Sequence, residues 1–303
     1  MKFSIMLPRP TGAPSPTELD DIIELARTVE RLGLHAVSAS DHPFPRIRDG
    51  QAGHQSFDPF VLLTSVGAST ERIGLHFSLL VSGYRNPFLA ARMLSTLDLL
   101  CPGRVLTAIG AGYLVEEFHA LGATFEGRGR ILRESVEAMK TAWTGREVHA
   151  SGHGWRADGN VMSPVPATAP RPRLWRGGNG DRAIRHAAEA FDGWAPFEVN
   201  DIGSQQTDTQ SMSLATLPAK LAFLRECRDA QNASGPFDIC YVRTSRQWLK
   251  SPQMIADDLH NLDSQGVNWL EFNILGRTLT ERAEFLEQFA EQAAGLSDPA
   301  RSA

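Results

Sequence analysis

The chain has 303 residues, with 30 basic and 35 acidic side chains and a formal net charge of −5. Its 42% apolar and 21% charged content argues against a disordered chain, and mild acidity without a basic block argues against nucleic acid as the main partner. No apolar run reaches the ~18 residues of a membrane span, and Met1–Leu7 is too short and too weakly charged for a signal peptide. Three cysteines, Cys101, Cys227 and Cys240, lack CxxC spacing. They read as free thiols rather than a disulfide framework or zinc site, and with the rest they point to a cytoplasmic protein with no membrane partner.

Phe3–Leu7 is predicted as a strand closed by Pro8 and Pro10. A helix follows, with Thr17 as its N-cap, apolar residues from Leu19 to Val29 at helical spacing, and Gly33 just past its end. Ala36–Ala39 is a second strand. Asp58-Pro59 and Asn86-Pro87 each join a capping side chain to a proline suited to the first helical position. Ile73–Val81 and Val105–Ile109 read as buried strands, and Leu132, Val136, Met139 and Trp143 mark a fourth helix. Residues 145–172, rich in proline and glycine, are an excursion predicted as a hairpin and loop. The alternation resumes with Leu174–Arg176, a helix from Asp181, and Gly193–Ala195. Residues 200–213 are predicted as a mobile loop. A helix near Leu217–Ala230, a strand near Phe237–Val242, a helix closed by Gly266, a strand at Asn268–Asn273 and a last helix from Leu279 complete the chain.

Eight strand–helix pairs are thus expected over residues 1–303. Strands that are apolar throughout imply a parallel sheet covered on both faces. The count fits a single α/β domain, a (β/α)8 TIM barrel, better than an open doubly wound sheet. Chemistry then belongs at the C-terminal ends of the strands. Asp41-His42, after the second strand, is either a capped turn before Pro43 or a pair able to exchange a proton with a bound molecule. Gly110-Ala111-Gly112 is a tight turn or a ligand contact, since Val115 stands where a dinucleotide fingerprint needs a third small residue. Gly177-Gly178-Asn179-Gly180 at a helix start reads as an anion cradle, with Arg182 adding positive charge. No GxxxxGK[ST], GxSxG or HExxH sequence occurs. A P-loop is therefore excluded, while a serine hydrolase and a metal-dependent hydrolase have little support, so no metal site is expected. Trp143, Trp194 and Trp269 read as packing residues.

Several segments taken together resemble the bacterial luciferase-like monooxygenase superfamily, in the branch that uses the deazaflavin coenzyme F420. They are "ERLGLH" (Glu30–His35), "SDHP" after the second strand, the run from "RIGLHFSLLVSGYRNPFLAARM" through "GRVLTAIGAGYLVEEFHALG", and "PRPRLWRGGNGDRAIRHAAEAFDGWAP". The resemblance covers nearly the whole chain. It implies a barrel with insertion regions and a ring held in the barrel mouth. A bulge with a non-proline cis peptide at Ser78-Leu79 would back that ring, with Leu80 and Val81 beside it. It also implies that Asp41 and His42 are the family's acid–histidine pair and that Gly177–Gly180 hold the cofactor phosphate. Sugar-phosphate dehydrogenase relatives carry a glutamate after the glycine turn where this chain has Tyr113. That counts against a glucose 6-phosphate substrate. It leaves His42 as the leading acid–base candidate and Tyr113 as the second.

The function implied is hydride transfer between F420 and a small organic molecule. The alternatives are an FMN-dependent, O2-using monooxygenase and a non-catalytic member that binds flavin or deazaflavin. The substrate pocket is expected from residues 145–172, residues 200–213, Tyr84 and Phe197. A homodimer is the family's expected assembly.

Overall fold

The computed structural model describes residues 1–10, 16–47, 54–207 and 209–294. Its strands are β1 (Lys2–Met6), β2 (Ala36–Ala39), β3 (Gly74–Val81), β4 (Val105–Gly110), β5 (Val148–Gly152), β6 (Trp155–Asn160), β7 (Arg173–Gly177), β8 (Gly193–Ala195), β9 (Asp238–Arg243) and β10 (Trp269–Asn273). The helices are α1 (Pro16–Arg31), α2 (Pro59–Ser69), α3 (Pro87–Leu100), α4 (Val115–Ala120), α5 (Arg128–Ala142), α6 (Asp181–Ala190), α7 (Asp201–Thr207), α8 (Leu217–Asp229), α9 (Pro252–Ser264) and α10 (Leu279–Ala293). All strands except β5 and β6 pair in parallel and close in the order β1-β10-β9-β8-β7-β4-β3-β2. This is the (β/α)8 barrel expected from the strand–helix count.

The two proline-marked helix starts form as expected. Asp58 accepts hydrogen bonds from the Phe60 and Val61 amides at 3.0 Å, and Asn86 from the Phe88 amide at 2.9 Å. Each satisfies amides that have no partner inside the helix. At the opposite face of the barrel, the Glu30 carboxylate accepts the Arg72 and Ile73 amides at 2.5 and 2.8 Å. It thereby ties α1 to the turn entering β3. Two shells of apolar side chains result. One lies between the barrel and its helices. The other fills the bore with Ala36, Leu106, Ala108, Trp175, Cys240 and Trp269, and Leu79 packs against it.

The structure corrects several local expectations. Helix α1 begins at Pro16, so Thr17 lies inside it rather than at its cap. Helix α4 was not predicted. Residues 200–213 are not one irregular loop: they contain α7, and Val199 bridges Met212. The hairpin expected within 145–172 is present as β5–β6, but it packs against the outside of the barrel. Phe88 of α3 meets Trp155 edge-on at 5.1 Å, Arg92 donates to the Ser163 and Pro164 carbonyls at 3.0 Å, and Asp98 accepts from the Thr168 amide at 2.7 Å.

Candidate active site

A cavity of about 950 Å³ opens where the strands end. Met6, His42, Leu79, Gly110, Gly177, Ala195, Val242 and Asn273 bring to it the ends of all eight barrel strands or the residues just beyond them. Tyr84, Phe197, Asn200, Gly203, Thr209 and Gln210 also line it, whereas no residue from 145–172 does. The expected contribution of that excursion to the pocket is therefore withdrawn.

The floor comes from β3. Its register with β4 shifts between Phe77 and Leu80, and the Ser78–Leu79 peptide is cis, as the resemblance implied. The Leu79 side chain lies across the top of the bore. A Cβ on Gly110 would stand 2.6 Å from it, and one on Gly177 only 2.4 Å. These two glycines therefore make room for the floor. Gly112, at φ +79°, needs its missing side chain for a second reason, since a Cβ there would meet Val81 at 2.7 Å. Ser78, Leu79 and Val81 line the cavity, as do Gly110, Ala111 and Gly112. Leu80 is turned into the core behind the floor, 1% exposed. Asp41 is also behind it: the carboxylate accepts from the Val81 amide at 2.9 Å and pairs with both Arg85 terminal nitrogens at 2.7 and 2.8 Å. Asp41 thus braces the floor, and the cavity wall is made by its neighbour His42.

His42 Nδ1 lies 3.1 Å from Glu117 Oε2. Glu117, on α4, is fully buried and also accepts from the Tyr84 hydroxyl at 2.7 Å and the Phe44 amide at 2.9 Å. Burial pushes its carboxyl up, but the bonds from His42, Tyr84 and Phe44 outweigh this and hold it below its ordinary value. An ionised carboxylate fixes the proton of His42 on Nδ1, which leaves Nε2 as the atom able to take or give a proton. Ser56 Oγ accepts the His42 amide at 2.9 Å. His54 stacks on the imidazole at 5.0 Å, and Tyr113 meets it edge-on at 5.9 Å. Burial, with the nearby Arg9 opposing, pushes the Tyr113 phenol up, so it is a neutral donor at physiological pH.

The other end of the cavity is lined by Gly177–Gly180, the segment expected from the sequence to cradle an anion. Helix α6 starts after Gly180, and no side chain caps it. Gly178, at φ +126°, hands its carbonyl to Trp194 Nε1 at 2.8 Å. Asn179 spends its carboxamide on structure: Nδ2 donates to the Phe197 and Gln210 carbonyls at 2.9 Å, and Oδ1 accepts the Phe197 amide at 3.0 Å. The backbone Gly177–Gly180 is thereby held open toward the cavity. The cation that reaches it is Arg176, the residue before the glycines. Its guanidinium is buried, Nε has no hydrogen-bond partner, and burial beside Arg133 lowers it to about 10. Arg182, the cation expected from the sequence, is exposed on α6 and does not line the cavity.

Beneath the floor, Glu271 of β10 spans the bore. It accepts from Ser38 Oγ at 2.7 Å and from Ser78 Oγ at 2.5 Å. His76 and Cys240 bring further potential metal-binding atoms to within 4.8 Å of it and of each other. Sequence reasoning singled out none of Glu117, Arg176, His54 or Glu271. Two had a signal: Arg176 is a cation at the C-terminal end of β7, just before the glycines, and Glu271 a lone acid inside an apolar strand.

Residues 1–207 match the family of luciferase-like monooxygenases. The chain is 34% identical over 184 residues to the F420-dependent glucose-6-phosphate dehydrogenase of Nocardia farcinica, covering 59% of this chain and 52% of that one. The chain thus spans about half the length of the curated relatives it matches. A monooxygenase from Streptomyces bottropensis superimposes over 98% of this chain and 100% of its own, with TM-score 0.81 and 19% identity. An F420-dependent secondary alcohol dehydrogenase, solved with an F420-acetone adduct, superimposes over 98% and 99%, with TM-score 0.77 and 15% identity. At those identities the two structures speak for the fold alone. With the family match covering well over half of its length, this chain belongs to the luciferase-like monooxygenase family.

Proposed function

We propose that the protein is an oxidoreductase that exchanges a hydride between coenzyme F420 and a small organic substrate. The observation that carries this reading is one cavity that joins an apolar floor at Leu79 to an anion cradle at Gly177–Gly180. The residues fit a ring that bears a phosphate. Glycines at 110, 112 and 177 keep side chains off the floor, and the buried Arg176 has an unpartnered Nε beside an uncapped helix start. The coenzyme, when bound, supplies a ring carbon that carries hydride. The uncapped α6 amides and Arg176 hold the phosphate. Leu79 supports one face of the ring and leaves the other to substrate. His42 Nε2 takes the substrate's proton during oxidation or returns it during reduction, with Glu117 holding the imidazole in place. Tyr113 donates a hydrogen bond to the substrate. F420 is favoured over FMN by the F420-dependent relatives. Tyr113, where sugar-phosphate dehydrogenases carry glutamate, argues for a substrate other than glucose 6-phosphate.

The second reading is an FMN-dependent, O2-using monooxygenase, favoured by the match of residues 1–207 to the luciferase-like monooxygenase family. The test compares the purified chain with F420 and with FMN. Fluorescence quenching by F420 and anaerobic bleaching of its visible absorbance with a panel of alcohols and aldehydes support hydride transfer. Binding of FMN alone, with oxygen uptake, overturns it in favour of the monooxygenase. Tight binding without turnover makes the chain a non-catalytic member.

A homodimer in the cytoplasm completes the proposal. Val61, Leu89 and Leu100 expose apolar side chains on α2 and α3, which supports a two-fold contact there. Three free cysteines agree with a reducing compartment. No helix among the described residues is long and apolar enough to cross a membrane.

A further inference from the structure

The cavity holds more positive charge than the coenzyme reading uses. Arg9, Arg128, Arg176, Arg246 and Arg282 line it, and Glu198 is the one carboxylate among its described lining residues. Glu198 is turned to backbone, since Oε2 accepts the Thr244 and Ser245 amides at 3.1 and 2.8 Å. Arg176 belongs to the cradle. Arg128 Nε donates to the Gly112 carbonyl at 3.0 Å, and the guanidinium lies over the Phe125 ring at 4.1 Å. Arg282 Nε donates to the Gly276 carbonyl at 3.3 Å. Arg9 and Arg246 remain. The Arg9 guanidinium has the Met6 thioether, a weak acceptor, 3.5 Å from Nη2. That of Arg246 has no hydrogen bond or ion pair among the described residues.

The fold sets these two side chains near each other. Arg9 stands three residues past the end of β1, and Arg246 three past the end of β9. Strand β10 lies between them, with Met6 opposite Asn273 and Arg243 opposite Phe272. The strands are thus two spacings apart, about 10 Å, a gap that two arginine side chains reaching toward each other close. Their fields meet: burial lowers the Arg9 guanidinium, Tyr113 and Glu271 oppose this, and the charge of Arg246 adds to it. In the eight-strand ring β1 is four places from β7 in either direction, so Arg9 stands across the mouth from Gly177–Gly180. An anion held at Arg9 is therefore not the one held at that cradle. Strand β1 also adjoins β2, whose end carries His42, and Arg9 is the charge that opposes the effect of burial on the Tyr113 phenol.

We propose that Arg9 and Arg246 bind the carboxylate of the substrate, which is then a small hydroxy acid or the matching oxo acid. This deepens the F420 reading above and rests on it, because the coenzyme decides which side of the cavity is left to substrate. A planar carboxylate accepts from two guanidinium forks at once, and positive charge without a counter-ion draws an anion into the mouth. Held on the β1 side, the carboxylate turns the neighbouring hydroxyl toward His42 and Tyr113. A carboxylate is preferred to a phosphate monoester because Tyr113 stands where sugar-phosphate dehydrogenases carry glutamate.

The test is calorimetric titration of lactate, malate and β-hydroxybutyrate, their methyl esters, and glycerol phosphate into the F420-loaded chain. Wild type, Arg9→Ala, Arg246→Ala and the double variant are compared. An ester keeps the hydroxyl and loses the charge. At least one acid should bind the wild type about tenfold more tightly than its ester, the lower end for a charge-assisted contact. Each single variant should narrow that preference and the double variant abolish it, with F420 affinity unchanged throughout. The acid that binds best should also bleach the coenzyme's visible absorbance under anaerobic conditions. Equal affinity of the wild type for acids and esters overturns the proposal, and so does a preference that survives in the double variant. Tighter binding of glycerol phosphate than of any acid overturns the substrate class. Binding of acids without bleaching by any of them overturns their assignment as substrates. Loss of F420 affinity in the variants gives the arginines to the coenzyme and overturns the site. Should the wild type bind no F420, the reading above falls, and the same titrations into the coenzyme-free chain still decide whether the two arginines hold a carboxylate.

Discussion

Of the two stretches that the sequence sets apart from the strand–helix alternation, only one reaches the cavity. Residues 145–172 follow α5 and precede β7, so they leave the barrel on the face where strands begin. They are strapped to the outside by Arg92 and Asp98. Residues 196–213 follow β8 and emerge where strands end, and Phe197, Asn200, Gly203, Thr209 and Gln210 line the cavity. The two stretches are alike in lacking an apolar rhythm. What separates them is whether the insertion follows a strand or a helix, because strand ends carry the site in this fold.

That contrast is broken or sharpened by substitution on each side of it. The largest effect is expected at His42, on the strand-end face. His42→Ala should lower turnover by about 10²–10⁴-fold with the coenzyme still bound, as single-turnover kinetics would show. A change confined to affinity would make His42 a positioning group. Next comes Arg176→Ala, which removes a charge-assisted contact of about 1.5–3 kcal/mol. Coenzyme affinity should drop by about 10–100-fold, read by fluorescence titration, with the melting temperature of the free chain little changed or raised.

A smaller effect belongs to Glu117→Gln, which loosens the imidazole and should cost about tenfold in turnover. It also carries a pH signature. Glu117 sits below its ordinary value in the folded chain, so its contribution to stability is present at neutral pH and is lost as pH falls through the folded value. Thermal melts of wild type and variant should differ near neutrality and converge as pH falls below the ordinary carboxylate range. The smallest effect is on the outer excursion. Arg92→Ala removes two exposed hydrogen bonds to Ser163 and Pro164. It should lower the melting temperature by about 2 °C and leave kcat and KM unchanged. A loss of activity there would return the excursion to the site.

What could be read from the sequence was local. Asp58-Pro59 and Asn86-Pro87 announce helix starts because cap and proline act within one turn. The glycines at 177–180 mark a turn that lines the cavity, because only small residues let the backbone approach a ligand. Resemblance supplied the Ser78-Leu79 bulge, which no spacing rule reveals. What was missed depends on partners far apart in sequence. Glu117 meets His42 across 75 positions, on a helix too short to show periodicity. Asp41 and Asn179 sit in site segments, yet the fold spends their side chains on Val81, Arg85 and Phe197. Arg182 has a first-turn position suited to an anion, but its side chain stands outside. Arg176, directly before the glycines, lines the cavity instead.

The central claim is that one cavity holds a ring at the Leu79 floor and its phosphate at the start of α6. The most direct measurement compares intact F420 with its phosphate-free deazaflavin alcohol, titrated into the wild-type chain and into Arg176→Ala. The intact coenzyme should bind the wild type at least about tenfold more tightly than the alcohol, as expected for a charge-assisted phosphate contact, and that preference should collapse in the variant. Equal affinity of the wild type for both forms would contradict the account.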